Sequence, residues 1–163
     1  MEVRSVETIV RALNDAGVDY LIVGGLAVNL HGFVRLTRDV DIVLRLSADH
    51  ATKGLHALLN IGYLMQIPEK PEAFADAATR ERWRQEKNMI VLKLWSDKHR
   101  RTPIDVFVYE PFSFEVELPR AARMEVAPSV FAPVVALDTL LEMKRAAGRP
   151  QDLTDIEELQ RGR

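Results

Sequence analysis

Apolar positions in the first third of the chain switch between two periods. Val6, Ile9, Val10 and Leu13 recur at i, i+3, i+4 and i+7 within residues 6–16, the face of an amphipathic helix with Ser5 as N-cap candidate and Gly17 as its stop. Tyr20-Leu21-Ile22-Val23 is a continuous apolar run closed by Gly24-Gly25, which reads as a buried strand entering a tight turn. A short helix over 26–31 ends at Gly32, and Val40-Asp41-Ile42-Val43-Leu44 is a second strand. Ser47 then caps a helix through Leu59 that closes at Gly62. Residues 68–87 show little apolar periodicity ahead of a polar, helix-like stretch. Residues 88–95 and 103–109 read as a strand hairpin joined across 96–102, with shorter strands at 113–118 and 122–127. Asp138 caps a helix through Ala147, Gly148 ends it, and Pro150 opens a last helix lined by Leu153, Ile156 and Leu159. Interleaved helices and strands, then a run of strands, then two helices predict an α+β fold with a mixed sheet flanked by helices. The same reading predicts a single domain over 1–163, with C-terminal helices at 138–160.

Composition narrows the function classes. The 163 residues are 47% hydrophobic and 28% charged, which excludes a wholly disordered chain, a collagen-like fibre and a long coiled coil. There is no cysteine, so disulfides, zinc–thiolate sites and a cysteine nucleophile are excluded. A Cys-free chain suits a reducing compartment, and a cytoplasmic location is the expectation. No apolar run approaches the ~18 residues of a membrane span, and no signal peptide is visible after Met1. The net charge of −2 is too balanced to imply a nucleic-acid partner for the chain as a whole. Residues 80–101 depart from that balance: eight Lys/Arg against three acids leave a local +5.

The chemistry concentrates on three carboxylates. Asp39 and Asp41 flank Val40 at the mouth of a strand, and residues i and i+2 of a strand share a face ~7 Å apart. Asp105 stands inside the apolar run Ile104-Asp105-Val106-Phe107-Val108. Two like charges ~4 Å apart repel by roughly 4 kcal/mol at an effective dielectric near 20, so acids sharing a cleft take up protons or recruit cations. Oxygen-rich clusters suit Mg²⁺ or Mn²⁺. Taken singly, each acid also fits a strand-edge position in solvent or beside an arginine. Gly24-Gly25 follows a strand and opens a helix, where free N–H groups and close backbone approach favour a phosphate, although a plain tight turn accounts for it equally well. Neither a Walker A loop nor the Rossmann glycine spacing is present.

In combination, Val23-Gly24-Gly25, a thirteen-residue gap, Asp39-Val40-Asp41-Ile42 and the later Asp105 resemble the signature of the polymerase-beta-like nucleotidyltransferase superfamily. The stretch from Val23 to Leu44 looks like its small bacterial branch of minimal nucleotidyltransferases and AbiEii-type toxins. Lys144, Arg149, Asp152 and Asp155 resemble that branch's closing pattern. The resemblance covers about 20–45, 103–108 and 138–160, and implies a polymerase-beta-like palm fold. It also implies a mechanism: Asp39, Asp41 and Asp105 hold two divalent ions (Mg²⁺ or Mn²⁺) on an NTP, and Asp105 helps deprotonate the acceptor hydroxyl. Gly24 and Gly25 cradle the triphosphate, and NMP moves as pyrophosphate leaves. Arg35, Thr37 and Lys144 are the further nucleotide-binding candidates.

Arg38 reads as solvated and His31 as structural. Asp152 and Asp155 occupy a first helical turn, where acids cap and complement the dipole. Trp83 and Trp95 lie in the basic stretch and offer base stacking, Trp95 fitting the core better. The acceptor remains open between RNA, met through 80–101, a protein hydroxyl and a small molecule. A partner protein and a toxin–antitoxin or phage-defence role belong to the same expectation. The alternative is a non-catalytic nucleotide-binding or antitoxin-like module of the same fold.

Overall fold

The computed structural model describes residues 1–162; residue 163, the end of the expected domain, lies outside them. The chain runs α1 (Val3–Asp15), β1 (Tyr20–Val23), α2 (Gly24–Leu30), β2 (Val40–Leu44), α3 (Ala48–Asn60), β3 (Leu64–Met65), α4 (Glu72–Ala75), α5 (Ala77–Lys87), β4 (Val91–Trp95), β5 (Ile104–Phe107), α6 (Phe114–Glu117), β6 (Ala122–Ala127), β7 (Val130–Val134), α7 (Leu137–Ala147) and α8 (Pro150–Arg161). One seven-stranded sheet has the order β3-β4-β5-β2-β1-β7-β6. It is mixed: β1 pairs antiparallel with β2 and parallel with β7, while β2 pairs parallel with β5. The expected α+β class with a helix-flanked mixed sheet is therefore the class observed. Among the described residues no helix is long and apolar enough to cross a membrane.

The core follows the apolar periodicities. The α1 stripe Val6, Ile9, Val10 and Leu13 is buried, as is every residue of β1. Because β1 and β2 lie inside the sheet and are covered by helices, continuous apolar runs rather than alternation encode them. The 88–95 and 103–109 hairpin forms with β4 antiparallel to β5.

Several local expectations are corrected. Helix α1 starts at Val3 with Glu2 in the N-cap position, so Ser5 is inside the helix, buried, with Oγ 3.0 Å from His99 Nδ1. Residues 113–118 are not a strand: Phe114–Glu117 is a helical turn followed by a 3-10 turn over Leu118–Arg120. Phe114, Val116 and Leu118 alternate as a strand would, but the buried pair is Phe114 and Glu117 at i, i+3, and Val116 faces out. Helix α7 starts one residue before Asp138, so Asp138 is a first-turn acid rather than the cap. Leu153 is exposed, and only Ile156 and Leu159 of the expected stripe are buried.

The two tryptophans exchange roles. Trp83 is 1% exposed and cannot stack on a base, whereas Trp95, next to the short β3 near the sheet edge, is 39% exposed. Strand β7 was not legible because Pro133 argues against a strand. It is tolerated because the β1 contact lies beyond it, through Val134 and the Val135 N–H that donates to Ile22 O.

Candidate active site

Strand register brings the distant acid to the pair. Asp41 on β2 is in register with Asp105 on the neighbouring parallel β5, and Asp105 is in register with Lys93 on β4. Directly paired residues on adjacent strands share a sheet face, so Asp41, Asp105 and Lys93 form one row across three strands. Asp39 sits just before β2. All three acids line one cavity of about 410 Å³ with Gly24, Gly25 and Thr37.

The tight turn expected at Gly24-Gly25 and the helix expected over 26–31 are one element: α2 begins at Gly24 directly after β1 and ends at Leu30, and its first two residues are shaped around these side chains. Gly24 has φ +63°, and a Cβ there would collide with the Asp41 carboxylate. A Cβ on Gly25 would collide with Thr37 Oγ1. Glycine is required at both positions so that Asp41 and Thr37 can seat against the backbone, and the Gly25 N–H donates to the Asp41 carboxylate.

Burial raises the Asp41 pKa from 3.8 to about 7, with the Asp39 and Asp105 charges adding to it; the Gly25 N–H and the Lys144 ammonium oppose the rise. Asp105 is also raised, by burial first and by Asp39, and Lys93 works the other way. The Lys93 ammonium donates to both Asp105 oxygens, at 3.1 and 3.3 Å. Sequence reading missed Lys93, although counting back from the 96–102 connection places it opposite Asp105.

The opposite wall comes from the C-terminal helices. Lys144 on α7 is 4% exposed, and its Nζ lies 2.8 Å from both Asp152 Oδ1 and Asp155 Oδ2. Arg35 grips Asp155 with two donors, Nε at 2.6 Å and Nη2 at 2.7 Å. Arg149 Nε donates to Asp152 Oδ2 at 2.7 Å. Burial opposes ionisation of Asp152, but its bonds to Arg149 and Lys144 override it and hold the carboxyl at about 2. Asp155 is lowered likewise, by Arg35, Lys144 and Gln151 against burial. Lys144 is thus neither a surface amine nor a free phosphate ligand; it is the centre of a buried ion-pair network at the cavity wall. Asp152 does cap α8, accepting from the Arg149 N–H at 3.2 Å, while Asp155 binds the network together.

Other expectations have clear positions. His31 Nε2 is 2.8 Å from Val135 O, a structural contact. Arg38 is exposed yet lines the cavity, and so does Arg149. The 80–101 charge is divided: Arg80 is buried and donates to Phe74 O, Arg84 lies over the Tyr109 ring at 4.4 Å, and Lys93 pairs with Asp105.

The donor set suits a hard divalent cation, being all oxygen, partly desolvated and mutually repulsive. Among the described residues, however, no three His, Cys, Asp or Glu side chains are close enough to enclose a metal ion. The arrangement fits an ion held by one or two carboxylates that takes its remaining ligands from phosphate and water, the usual Mg²⁺ pattern.

No family model matches the chain, and no curated protein matches it. Solved structures do. The lincosamide antibiotic adenylyltransferase LnuA, with lincomycin bound, is 16% identical with a TM-score of 0.58, over 90% of this chain and 89% of that one. A candidate nucleotidyltransferase from Thermotoga maritima is 13% identical with a TM-score of 0.59, over 98% and 92%. An antigenic nucleotidyltransferase-like protein from Paracoccidioides brasiliensis is 18% identical with a TM-score of 0.57, over 97% and 75%. At such identities the likeness is one of fold: the chain has the nucleotidyltransferase fold.

Proposed function

We propose that this chain is a divalent-metal-dependent nucleotidyltransferase that moves NMP from an NTP to an acceptor hydroxyl. The observation that carries the reading is the in-register pair of the half-buried Asp41 and the buried Asp105, side by side in a cavity whose other wall is cationic. Asp39 and Asp41 would hold Mg²⁺ or Mn²⁺, and Asp105 would add a ligand once Lys93 released it. The bound metal would neutralise charge on the reacting phosphate oxygens. Arg35, Lys144 and Arg149 supply positive potential toward the triphosphate, and Thr37 and Gly25 fix the start of α2 against which it lies. The acceptor oxygen bonds to the α-phosphorus as the bond between the α-phosphorus and the α,β-bridging oxygen breaks. Pyrophosphate leaves with that electron pair, and Asp105 takes the hydroxyl proton. The motif from Val23 to Leu44 supports placement in the small bacterial branch of the superfamily, with its toxin–antitoxin and phage-defence roles.

A second reading, a non-catalytic nucleotide-binding module, is favoured by one observation: Lys93 already neutralises Asp105. The two are separated by incubating the protein with each labelled NTP, Mg²⁺ or Mn²⁺ and cell extract. Transfer of label to RNA, protein or a small molecule, absent with Asp41→Asn, is the expected result. NTP binding without transfer to any of the three would establish the module reading.

A further inference from the structure

The sheet ends in two unequal edges. At one end β3 has two residues; at the other β6 has six, from Ala122 to Ala127. A short strand is one way of keeping a free edge from pairing with another chain, and β6 does not use it. The backbone shows which of its groups are free. The Val135 N–H, just past β7, donates to Ile22 O, so alternate residues counted back from it turn toward β1, and Ala132 and Val134 turn toward β6. Pro133, opposite Arg123, has no N–H to give β6, which agrees. Ala122 and Met124 therefore exchange bonds with β7, and the N–H and C=O of Arg123 and Glu125 point into the open edge. The register shift between Glu125 and Ala127 ends this regular stretch. Arg123 and Glu125 are exposed on one face of the strand, and Ala122, Met124 and Val126 are half-buried on the other. One Glu125 oxygen, Oε1, accepts from the Ser129 N–H of its own hairpin at 2.8 Å.

We propose that β6 is a self-association edge whose partner is a second copy of this chain, paired antiparallel about a two-fold axis at Met124. A two-fold axis normal to the sheet makes the two edge strands antiparallel and pairs residues equally spaced on either side of it. With the axis at Met124, Arg123 of each copy lies opposite Glu125 of its partner. These are the residues whose backbone groups are free. Each of the two symmetry-related pairs therefore exchanges two N–H···O=C bonds and joins an arginine to a glutamate. On the other face Met124 meets its own copy, and the half-buried side chain is covered. The charges select this register. Sliding the partner by two residues sets Arg123 against Arg123 in one direction and Glu125 against Glu125 in the other. A slide of one residue sets free backbone groups against groups already bonded to β7. A contact one strand wide fits a weak, reversible dimer. β7 and β1 separate this edge from β2, so the carboxylate row lies outside the interface and the inference is independent of the transfer chemistry.

The test is sedimentation equilibrium of the full chain at low salt, from about 1 μM to about 1 mM. The wild type should show a monomer–dimer equilibrium inside that range. Arg123→Glu and Glu125→Arg each set like charges against one another at both pairs, and each should weaken self-association about tenfold or more. An equimolar mixture of the two variants restores opposite charges at both pairs and should associate within about threefold of the wild type. Arg123→Pro removes an N–H that only the dimer uses and should abolish association, with circular dichroism to verify folding. The two charge variants, at exposed positions, carry the test if the proline variant does not fold. A chain that is monomeric throughout the range, single charge variants that associate as the wild type does, or a mixture no tighter than either variant alone would each overturn the proposal.

Discussion

Asp41→Asn removes the charge whose surroundings resist it most. With its pKa raised from 3.8 to about 7, the folded state holds a proton on Asp41 that the unfolded state releases. Between these values the folded chain binds more protons, so the Asp41 contribution to stability declines as pH rises and is fully unfavourable above about 7. The expected outcome is that Asp41→Asn matches the wild type in thermal midpoint near pH 4 and exceeds it increasingly toward pH 7.5, measured in EDTA. Transfer should fall by about a thousandfold or more, as loss of a metal-binding carboxylate implies. A variant less stable than the wild type at neutral pH would instead make Asp41 a structural ion-pair partner. Glycine at 24 and 25 belongs to this scale as well. The doublet was visible in the sequence, but its reason, the seating of Asp41 and Thr37, came from side chains twelve and more residues away.

At the scale of elements, α7 and α8 are locked to the rest of the molecule through Asp155. It is fully buried and joins Arg35, from the segment before β2, to Lys144 on α7. Removing one member of a buried ionic group leaves the others uncompensated, at a cost of about 3–5 kcal/mol. Asp155→Ala is expected to lower the thermal midpoint by about 6–20 °C, since each kcal/mol shifts a domain of this size by roughly 2–4 °C. Nucleotide affinity should fall with it, because Arg35 and Lys144 lose their positions; an unchanged midpoint in a calorimeter would show that the network does not anchor the helices. The pH dependence has the opposite sign to that of Asp41. Asp152 and Asp155 are both lowered below the ordinary value, so their stabilisation is complete above about pH 4 and is lost as pH falls below it, for Asp152 toward about 2.

Across the whole molecule, the site is a meeting of distant segments. The sheet order places β2 and β5 side by side at its centre, and α7 and α8 close the cleft from the other end of the chain. Repulsion within the cleft and cationic side chains opposite it predict that Mg²⁺ and NTP bind best together. A ligand of the folded state alone stabilises by about 2.7 kcal/mol at one hundred times its dissociation constant, a shift of roughly 5–11 °C here. Melts with Mg²⁺, NTP, both and EDTA should rank both first and EDTA last. Identical midpoints in all four would remove the metal-dependent mechanism.

Local matters were legible along the chain: β1, β2, the β4–β5 hairpin, the strand-to-helix junction at Gly24-Gly25 and the acid pair Asp39 and Asp41. Each depends on residues a few positions apart, where periodicity and steric limits act directly. The fold class was legible too, because the order of helices and strands leaves few ways to bury both. The tertiary structure alone shows that Lys93 neutralises Asp105, that Lys144 is buried between two aspartates, that Trp83 and not Trp95 is core, and that Glu117 is buried with one carboxylate oxygen paired to Arg120 and the other unpaired. Those outcomes depend on which face of an element meets its neighbour. That choice is made by burial of apolar surface and pairing of charges across tens of residues, and no local spacing records it.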